Sequence, residues 1–431
     1  MGQARQAALL AKDASRPMGL LSEEQRNRIL EVMADALRMH SSAICAANAQ
    51  DMEAARAKGT KESLLDRLYL DEARVEAMAQ GLESLAALPD PTGRVLERRT
   101  LPNGIELSRV TVPLGVVAMV YEARPNVTAD AAGICLKSGN ACVLRGGSLA
   151  IHSCVTIAHV MHDAAVDAGA PRNCITIIES TDREETGELL SLRGLVDVLI
   201  PRGGAGLIER CVREAQVPVI ETGTGNCHVY VEKTADFDMA RAIVMNAKTQ
   251  RTGVCNACES LLVDAGIKDQ FLPLMLADLA GAGVVIHGDQ EARAAVTSSC
   301  ALDEEARSLV ASHFVDATEE DWGTEYLDLE ISVRSIRGGV QEAIDHINRY
   351  GTHHSEVVVT QDASVAEAFC RGVDAAAVYV NASSRFTDGG EFGLGAEIGI
   401  STQKLHVRGP FALEALTTYK YVMRGEGQVR P

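Results

Sequence analysis

The sequence predicts an α/β protein with two parallel, doubly wound sheets. Its 431 residues are more than one hydrophobic core usually serves. Short apolar segments alternate with helix-length segments from residue 116 to 220, and a second series of this kind runs from 228 to 380. Strands separated by helix-length segments are typical of parallel sheets that are covered on both faces. We therefore expect two α/β domains.

A helical region and a hairpin precede the first sheet. Residues 7–88 have helical periodicity, which ends at the breaker run Pro89-Asp90-Pro91. Two alternating segments, 95–99 and 105–112, then flank the turn residues Pro102-Asn103-Gly104 and predict a β-hairpin. Because an exposed hairpin commonly pairs with another chain, we expect this one to support self-association.

The two alternating series define the strands of the two predicted sheets. Sheets of this kind bind ligands beyond the carboxyl ends of their strands, so the loops that follow the strands are the places to look for a site. A further short alternation at 416–422 predicts a strand near the end of the chain. The predicted strands are 116–121, 141–145, 174–178, 196–200 and 217–220 in the first sheet, and 228–231, 260–263, 284–286, 329–336, 356–360 and 376–380 in the second.

Composition excludes several classes of partner. The formal charge of −18 disfavours nucleic acid, because such a partner needs a surface of phosphate-neutralising Lys and Arg. No apolar run approaches the length that spans a membrane. The eleven cysteines are an odd number and follow no secretory signal, so reduced thiols in the cytoplasm are expected rather than a disulfide framework.

Cys255 is the first candidate for chemistry. It lies in a Gly-containing turn just before an apolar strand, where a thiol would be reachable, and Lys248 and Arg251 could supply the cation that favours a thiolate. The alternative is that Cys255 is one more small core residue. Cys258 completes a CxxC, but no second pair at metal spacing follows, so we expect no metal and treat Cys258 as a packing residue.

Glu221 is the second candidate. It ends a predicted strand and opens the glycine-rich turn Glu-Thr-Gly-Thr-Gly-Asn, where it could serve as a general base or be an ordinary solvated carboxylate. Neither this turn nor the glycines at 203–206 complete the GxGxxG fingerprint of a dinucleotide site. The residues alone thus indicate a nucleotide-type sheet without indicating the nucleotide.

Long strings of the sequence resemble the γ-glutamyl phosphate reductases, which form a family within the aldehyde dehydrogenase superfamily. The resemblance covers nearly the whole chain and implies an aldehyde dehydrogenase-like fold with a cofactor-binding domain (1–100 and 125–227), a catalytic domain (228–385) and an oligomerisation flap (101–124 and 406–431). The strings include EARPNVTADAAGICLKSGNACVLRGGSLA, ETGTGNCHVYVEK, KTQRTGVCNACESLLV and AAAVYVNASSRFTDGGEFGLGAEIGISTQKLHVRGP.

The resemblance also implies roles for single residues. Cys255 matches the nucleophile, and Asn126 matches the asparagine whose amide forms an oxyanion hole with the backbone N–H of that cysteine. Glu221 matches the base that activates water, a role that loses its purpose if phosphate is the acyl acceptor. Without the resemblance, Asn126 after Pro125 would be interpreted as a turn residue.

The cofactor and substrate residues follow in the same way. Arg145 matches a ribose-binding lysine and would suit the 2′-phosphate of NADPH, although a simple strand-end charge is the alternative. The loop around Arg385 is the candidate for the α-amino and α-carboxylate groups of the substrate, or otherwise only a turn. The full set implied is Arg145, Gly203, Gly204, Gly206 and Glu325 for the cofactor and Ser383, Ser384 and Arg385 for the substrate.

The implied activity is NADPH-dependent reduction of L-glutamyl 5-phosphate to L-glutamate 5-semialdehyde and phosphate, through a cysteine thioester, in proline biosynthesis. The implied partners are this small molecule, further copies of the chain in a dimer or tetramer, and transiently a glutamate kinase. Two alternatives stay open. One is a general aldehyde dehydrogenase that oxidises an aldehyde to its acid, and the other is a non-catalytic oligomer that has kept the fold.

Overall fold

The computed structural model describes residues 2–430, which form helices and strands in close alternation after a helical first part. The first sheet begins at β3, where all six residues of Val-Val-Ala-Met-Val-Tyr are buried. Such a continuous apolar run is typical of a strand covered on both faces. The helices are α1 Gln3–Met18, α2 Glu23–Met39, α3 Ser41–Ala57, α4 Glu62–Leu68, α5 Glu72–Ala87, α6 Asn126–Lys137, α7 Ile151–Asp167, α8 Arg183–Ser191, α9 Ala205–Glu214, α10 Phe237–Thr249, α11 Lys268–Gly281, α12 Gln290–Ser298, α13 Glu304–His313, α14 Gly339–Tyr350 and α15 Ala363–Gly372; the strands are β1 Val95–Thr100, β2 Glu106–Pro113, β3 Val116–Tyr121, β4 Ala141–Arg145, β5 Ile175–Ile177, β6 Val198–Arg202, β7 Cys227–Val231, β8 Cys258–Asp264, β9 Val285–Gly288, β10 Phe314–Asp316, β11 Glu330–Ile336, β12 Ser355–Val359, β13 Ala377–Val380, β14 Gly399–Ser401, β15 Gly409–Phe411 and β16 Thr417–Arg424.

Two parallel sheets confirm the predicted fold class. The first has four strands in the order β5-β4-β3-β6, and the second has seven in the order β10-β9-β11-β8-β7-β12-β13. All the neighbouring pairs in both sheets are parallel. The order of each sheet reverses at a central strand, and the crevice at such a point is where this kind of sheet binds ligands.

Helices cover both faces of the first sheet. One face packs against α6 and α7, and α2 and α5 pack in turn on these two helices in the largest core cluster. The other face packs against α1, whose buried residues Ala4, Ala7, Ala8 and Ala11 allow close approach to the strands. Small side chains at helical spacing therefore dock the first helix on the sheet without leaving a gap.

A third sheet stands apart from the two parallel ones. Strands β1, β2 and β16 form an antiparallel sheet in the order β1-β2-β16, so the predicted hairpin and the predicted last strand meet. Strand β3, which the predicted flap range 101–124 includes, belongs instead to the centre of the first parallel sheet, and β1 joins the flap sheet although the range begins at 101. The reason is that β3 is buried on both faces, whereas β1 is mainly exposed.

The structure differs from the sequence prediction at a few strands. Residues 217–220 do not form a full strand, because they pair with the first sheet only through a single bridge from Leu199 to Val219. Pro218 in the middle of this segment has no N–H to extend the ladder. The short strands β10, β14 and β15 were not predicted, since three residues show no periodicity. Among residues 2–430, no helix is long and apolar enough to cross a membrane.

Candidate active site

A cavity of about 330 Å³ lies between the two parallel sheets. On one side, its wall is formed by the segments that follow β3 and β6 at the carboxyl ends of those strands. On the other side, the turn before β8 and the loop after β13 line it. The charged and polar lining residues are Arg67, Glu122, Arg124, Arg202, Thr222, Thr224, Arg251, Cys255, Asn256, Glu325, Arg385, Thr387, Asp388 and Glu397.

Cys255 lies half-buried in this cavity, in the turn just before β8 that the sequence predicted. The glycine-rich segment 221–226 and Cys227, which follows it, pack against this turn. The Sγ of Cys227 donates a hydrogen bond to the carbonyl oxygen of Cys255 at 3.2 Å. A Cβ at Gly225 would lie 1.4 Å from the same oxygen, so only a glycine lets the two segments approach this closely.

Asn256 fixes the same turn from the other side. Its Nδ2 donates to the carbonyl oxygen of Thr387 at 2.9 Å. Its own carbonyl oxygen accepts a hydrogen bond of 2.7 Å from the hydroxyl of Ser384. Because both contacts are buried, the loop after β13 and the nucleophile turn form one packed unit.

The three residues predicted to hold the substrate do not lie together in the cavity. Arg385 lines it, and its Nε donates to Gln250 Oε1 at 2.8 Å. The hydroxyl of Ser384 is committed to Asn256, and the Oγ of Ser383 accepts a hydrogen bond from the backbone N–H of Arg385. Both serines are buried in the described structure, so the local contacts favour a structural role for them.

The environment of the Cys255 thiol opposes its ionisation. Burial, followed by the carboxylates of Glu325 and Glu397, raises the pKa of Cys255 to about 11, against the opposing effect of Arg202. Lys248, a cation that the sequence placed near the thiol, instead pairs with Glu259 at 2.7 Å, and both side chains are fully buried. In the free chain the thiol is therefore mostly protonated at neutral pH, in contrast to the thiolate that the sequence led us to expect.

This shifted pKa predicts how Cys255 reacts with iodoacetamide. Only the thiolate reacts, and its fraction grows about tenfold for each pH unit below the pKa. The alkylation rate of Cys255 should thus still be climbing between pH 8 and 10 and should level off only near pH 11. Peptide mass spectrometry would follow the rate, with the exposed Cys300 as internal reference. A rate already constant at pH 7 would contradict the prediction.

Five arginines make the cavity receptive to anions. Arg67, Arg124, Arg202, Arg251 and Arg385 all line it, and within residues 2–430 none of them forms an ion pair with a carboxylate. Desolvation, followed by the charges of Arg202, Arg67 and Arg251, lowers the pKa of Arg124 to about 10. Cations crowded together in this way are stabilised when an anion binds between them.

Sequence reasoning identified only some of these arginines. Arg251 was noted because of its closeness to Cys255, and Arg385 because of its loop. Arg124 and Arg202 were missed, although each lies at or just after the carboxyl end of a strand of the first sheet. That position was the available signal, since ligands of parallel sheets bind there. Arg67 lies on α4, far from any motif.

Two glutamates predicted near the chemistry occupy different places. Glu325 lines the cavity of Cys255, and its Oε1 accepts a hydrogen bond from the Gly225 N–H at 2.6 Å. Glu221 lines a neighbouring cavity with Thr222 and Thr224, and its backbone N–H donates to Gln403 Oε1 at 2.8 Å. Of the two carboxylates, Glu325 thus shares the cavity of the thiol.

Asn126 begins helix α6 and is exposed. Its Nδ2 donates to Asp130 Oδ2 at 3.3 Å, and it is absent from the lining of the Cys255 cavity within the described chain. An oxyanion-hole role would require the side chain to turn from Asp130 towards the thiol. The role of Asn126 remains a prediction.

A second cavity, of about 520 Å³, adjoins the first. The two share the lining residues Leu64, Glu122 and Ala123, so together they form one elongated crevice along the first sheet. Arg145 and Gly206 line the second cavity, whereas Gly203 and Gly204 line the first. The residues predicted to bind a dinucleotide are therefore spread along the length of the crevice.

Arg145 is prepared for an anionic ligand. It is only 8% exposed, and its Nη atoms donate to the carbonyl oxygens of Gly146, Thr181 and Asp182. Its Nε is buried without a hydrogen-bond partner in the described structure. Two further arginines, Arg183 and Arg210, line the same cavity. The three arginines together make this cavity favourable for an anionic group such as phosphate.

Comparisons with known proteins agree on the kind of molecule. The model of the aldehyde dehydrogenase family matches residues 2–325. The chain is 51% identical over 420 residues to the γ-glutamyl phosphate reductase of Thermoanaerobacter pseudethanolicus, covering 97% of this chain and 98% of that protein. It is 54% identical over 420 residues to the γ-glutamyl phosphate reductase of Moorella thermoacetica, covering 97% of each. The crystal structure of the γ-glutamyl phosphate reductase of Thermotoga maritima matches it over 100% of both chains, with a TM-score of 0.94 and 42% identity.

Proposed function

We infer the reaction of this chain from its family, because the chain belongs to the aldehyde dehydrogenase family and is an oxidoreductase of the γ-glutamyl phosphate reductase type. We propose that it reduces L-glutamyl 5-phosphate to L-glutamate 5-semialdehyde with release of phosphate. This reaction would be the second step from glutamate towards proline.

One observation carries the proposal: a half-buried thiol and five arginines line the same cavity. An acyl phosphate with an α-carboxylate brings two anionic ends and one electrophilic carbon. Arginines bind phosphate and carboxylate through forked, charge-assisted hydrogen bonds. A neutral aldehyde would leave most of these cations without a partner, so the cavity supports the anionic substrate.

In the proposed mechanism, the Cys255 thiol first loses its proton to solvent, and the thiolate then attacks the acyl carbon and forms a thioester as phosphate leaves. The arginines that hold the phosphate also stabilise it as a leaving group. Asn126 and the backbone N–H of Cys255 would form the oxyanion hole, once the amide of Asn126 has left Asp130. Glu221 need not activate water, because phosphate takes the place of water as acyl acceptor in the reverse direction.

The crevice fits a dinucleotide cofactor. Aldehyde dehydrogenases typically use a nicotinamide cofactor, and we propose NADPH for this chain. The cluster of Arg145, Arg183 and Arg210 in the second cavity suits the 2′-phosphate. The backbone of Gly203 and Gly204 at the start of α9 would hold the pyrophosphate, and Gly206 and Glu325 would lie along the same molecule. When bound, the cofactor supplies the hydride that reduces the thioester.

Dependence on phosphate tests the proposed reaction. Run in reverse on glutamate 5-semialdehyde, the enzyme should reduce NADP only when inorganic phosphate is added, because phosphate must release the thioester. Absorbance of NADPH at saturating aldehyde, with and without phosphate, would measure this. Product formation without phosphate would favour the alternative of a general aldehyde dehydrogenase that uses water as acceptor. No turnover with either acceptor would favour the non-catalytic alternative.

Removing one arginine of the cavity should weaken the binding of phosphate without affecting the fold. In Arg251→Gln, the KM for phosphate in the reverse reaction should rise about tenfold, the effect of losing roughly 1.5 kcal/mol of charge-assisted hydrogen bonding. Arg251 is exposed in the cavity and makes no ion pair within residues 2–430, so its loss leaves no buried charge. Arg172→Gln, at an exposed position outside the cavity, is the matched control. Equal KM values for the two variants would contradict the assignment.

We also propose that the chain forms homo-oligomers through the three-stranded sheet. Strand β16 lies at its edge, and Tyr419, Tyr421 and Met423 on that strand are about half exposed. An edge strand that exposes several apolar side chains in this way is a ready template for pairing with another chain.

A further inference from the structure

The side-chain carboxylate of Glu122 lies at the N-terminus of helix α9 in the free chain. It directly follows β3, and its backbone N–H donates to the carbonyl oxygen of Arg202, so its position between β3 and β6 is fixed. Its Oε2 accepts a hydrogen bond of 2.8 Å from the N–H of Gly204, the residue before α9. A Cβ at Gly203 would lie 2.6 Å from the same oxygen. The carboxylate thus rests directly on this glycine turn.

This contact caps the N-terminus of α9, which no residue of the helix caps itself. No side chain caps α9 locally, and its first turn contains no acidic residue. The start of a helix has unpaired N–H groups and a partial positive charge, both of which attract an anion. Glu122 provides that anion from another element of the fold.

The same position is where the two cavities of the crevice join. Glu122 lines both of them, with the Arg145 cavity on one side and the Cys255 cavity on the other. Arg145, Arg183 and Arg210 line the Arg145 cavity, and these cations favour an anionic part of a ligand that extends into it. An elongated dinucleotide that reaches from there to Cys255 must pass the Glu122 carboxylate.

We propose that Glu122 is an internal competitor of the cofactor pyrophosphate and thereby sets the affinity for the cofactor. The inference rests on the proposed function, since it takes NADPH as the ligand. Glu122 and a phosphate cannot both accept from Gly204, and their like charges repel. Cofactor binding therefore displaces the carboxylate from the helix, and departure of the cofactor lets it return. Such a competitor trades affinity for faster release of the oxidised cofactor.

The test compares NADPH binding to the whole protein by isothermal titration calorimetry. Glu122→Gln removes the charge with little change in size, and it should bind NADPH about tenfold or more tightly than the unchanged chain. Glu122→Asp keeps the charge but has a side chain too short to reach Gly204 as well. Its affinity for NADPH should therefore lie between those of Glu122→Gln and the unchanged chain. Glu367→Gln, on the exposed surface of α15, makes the same change in net charge and should bind as the unchanged chain does.

The outcomes separate this inference from the proposed function. Unchanged or weaker binding by Glu122→Gln, while the unchanged chain binds NADPH, would overturn the competitor role alone, and weaker binding would mean that Glu122 holds the cofactor. If neither the unchanged chain nor any variant binds NADPH, the cofactor assignment itself falls. Inorganic pyrophosphate as a second probe should show the same order of affinities, because the competition concerns the phosphates.

Discussion

Cys255→Ala is expected to lose turnover in both directions while it still binds NADPH. The thiol is the attacking atom of the proposed mechanism, and removal of a catalytic nucleophile costs on the order of a millionfold in rate. Arg145, Arg183 and Arg210, proposed to bind the 2′-phosphate, line the neighbouring cavity, and the change removes only one sulfur atom, so cofactor affinity should change little. Steady-state assays with and without phosphate, together with calorimetric titration of NADPH, would measure both effects.

Cys258→Ala is the matched control for this variant. Cys258 is fully buried at the start of β8, and its Sγ donates to the carbonyl oxygen of Ser260, so it contacts the core rather than the cavity. Its replacement should lower the free energy of unfolding by about 1 kcal/mol and leave turnover near normal. Turnover retained by Cys255→Ala, or lost equally by both variants, would contradict the choice of nucleophile.

The fold was largely predictable because its signals are local. A buried strand such as β3 is a continuous apolar run, and the helices between strands have their own periodicity. The segment at 217–220 shows the limit of this reasoning. Its apolar residues suggest a strand, but Pro218 has no N–H to donate, and the segment pairs with the first sheet only through a single bridge.

The site was less predictable because its contacts join distant residues. Lys248 is close to Cys255 in sequence, yet its side chain forms a buried ion pair with Glu259 instead of lining the cavity. The carboxylate of Glu325 reaches Gly225 across 100 positions of the chain. Ser384, whose loop suggested substrate binding, instead donates its hydroxyl hydrogen bond to the carbonyl oxygen of Asn256. Such pairings depend on the packed structure, so no local pattern in the sequence indicates them.

The GTG turn illustrates how a weak sequence motif can have a strict structural reason. Its spacing did not complete a nucleotide fingerprint, so the motif alone did not indicate a function. In the structure the turn is a support for the nucleophile, since Gly225 packs on the carbonyl of Cys255 and donates its N–H to Glu325. A Cβ at Gly223 would similarly lie 2.3 Å from Thr402 Cγ2. The glycines allow close packing behind the thiol.

Gly225→Ala is therefore expected to be the second most damaging change. The added Cβ would lie 1.4 Å from the Cys255 oxygen, too close for any side-chain adjustment to relieve, so the backbone of the nucleophile turn must move. A displacement of about 1 Å at a reacting group costs roughly a hundredfold in rate. Overpacking should also lower the free energy of unfolding by about 1–3 kcal/mol. Reverse-reaction kinetics and denaturant titration would measure the two effects.

Gly81→Ala separates displacement of the thiol from a general effect of losing a glycine. Gly81 lies inside helix α5 with nothing within 4 Å of the added Cβ. Alanine there should stabilise the chain by about 0.5–1 kcal/mol, because glycine is a poor helix former, and turnover should not change. In Gly225→Ala the loss should appear in kcat, with the affinity for NADPH nearly kept, since the moved group is the nucleophile. Normal kcat in that variant would mean that the turn of Cys255 does not depend on the packing of Gly225.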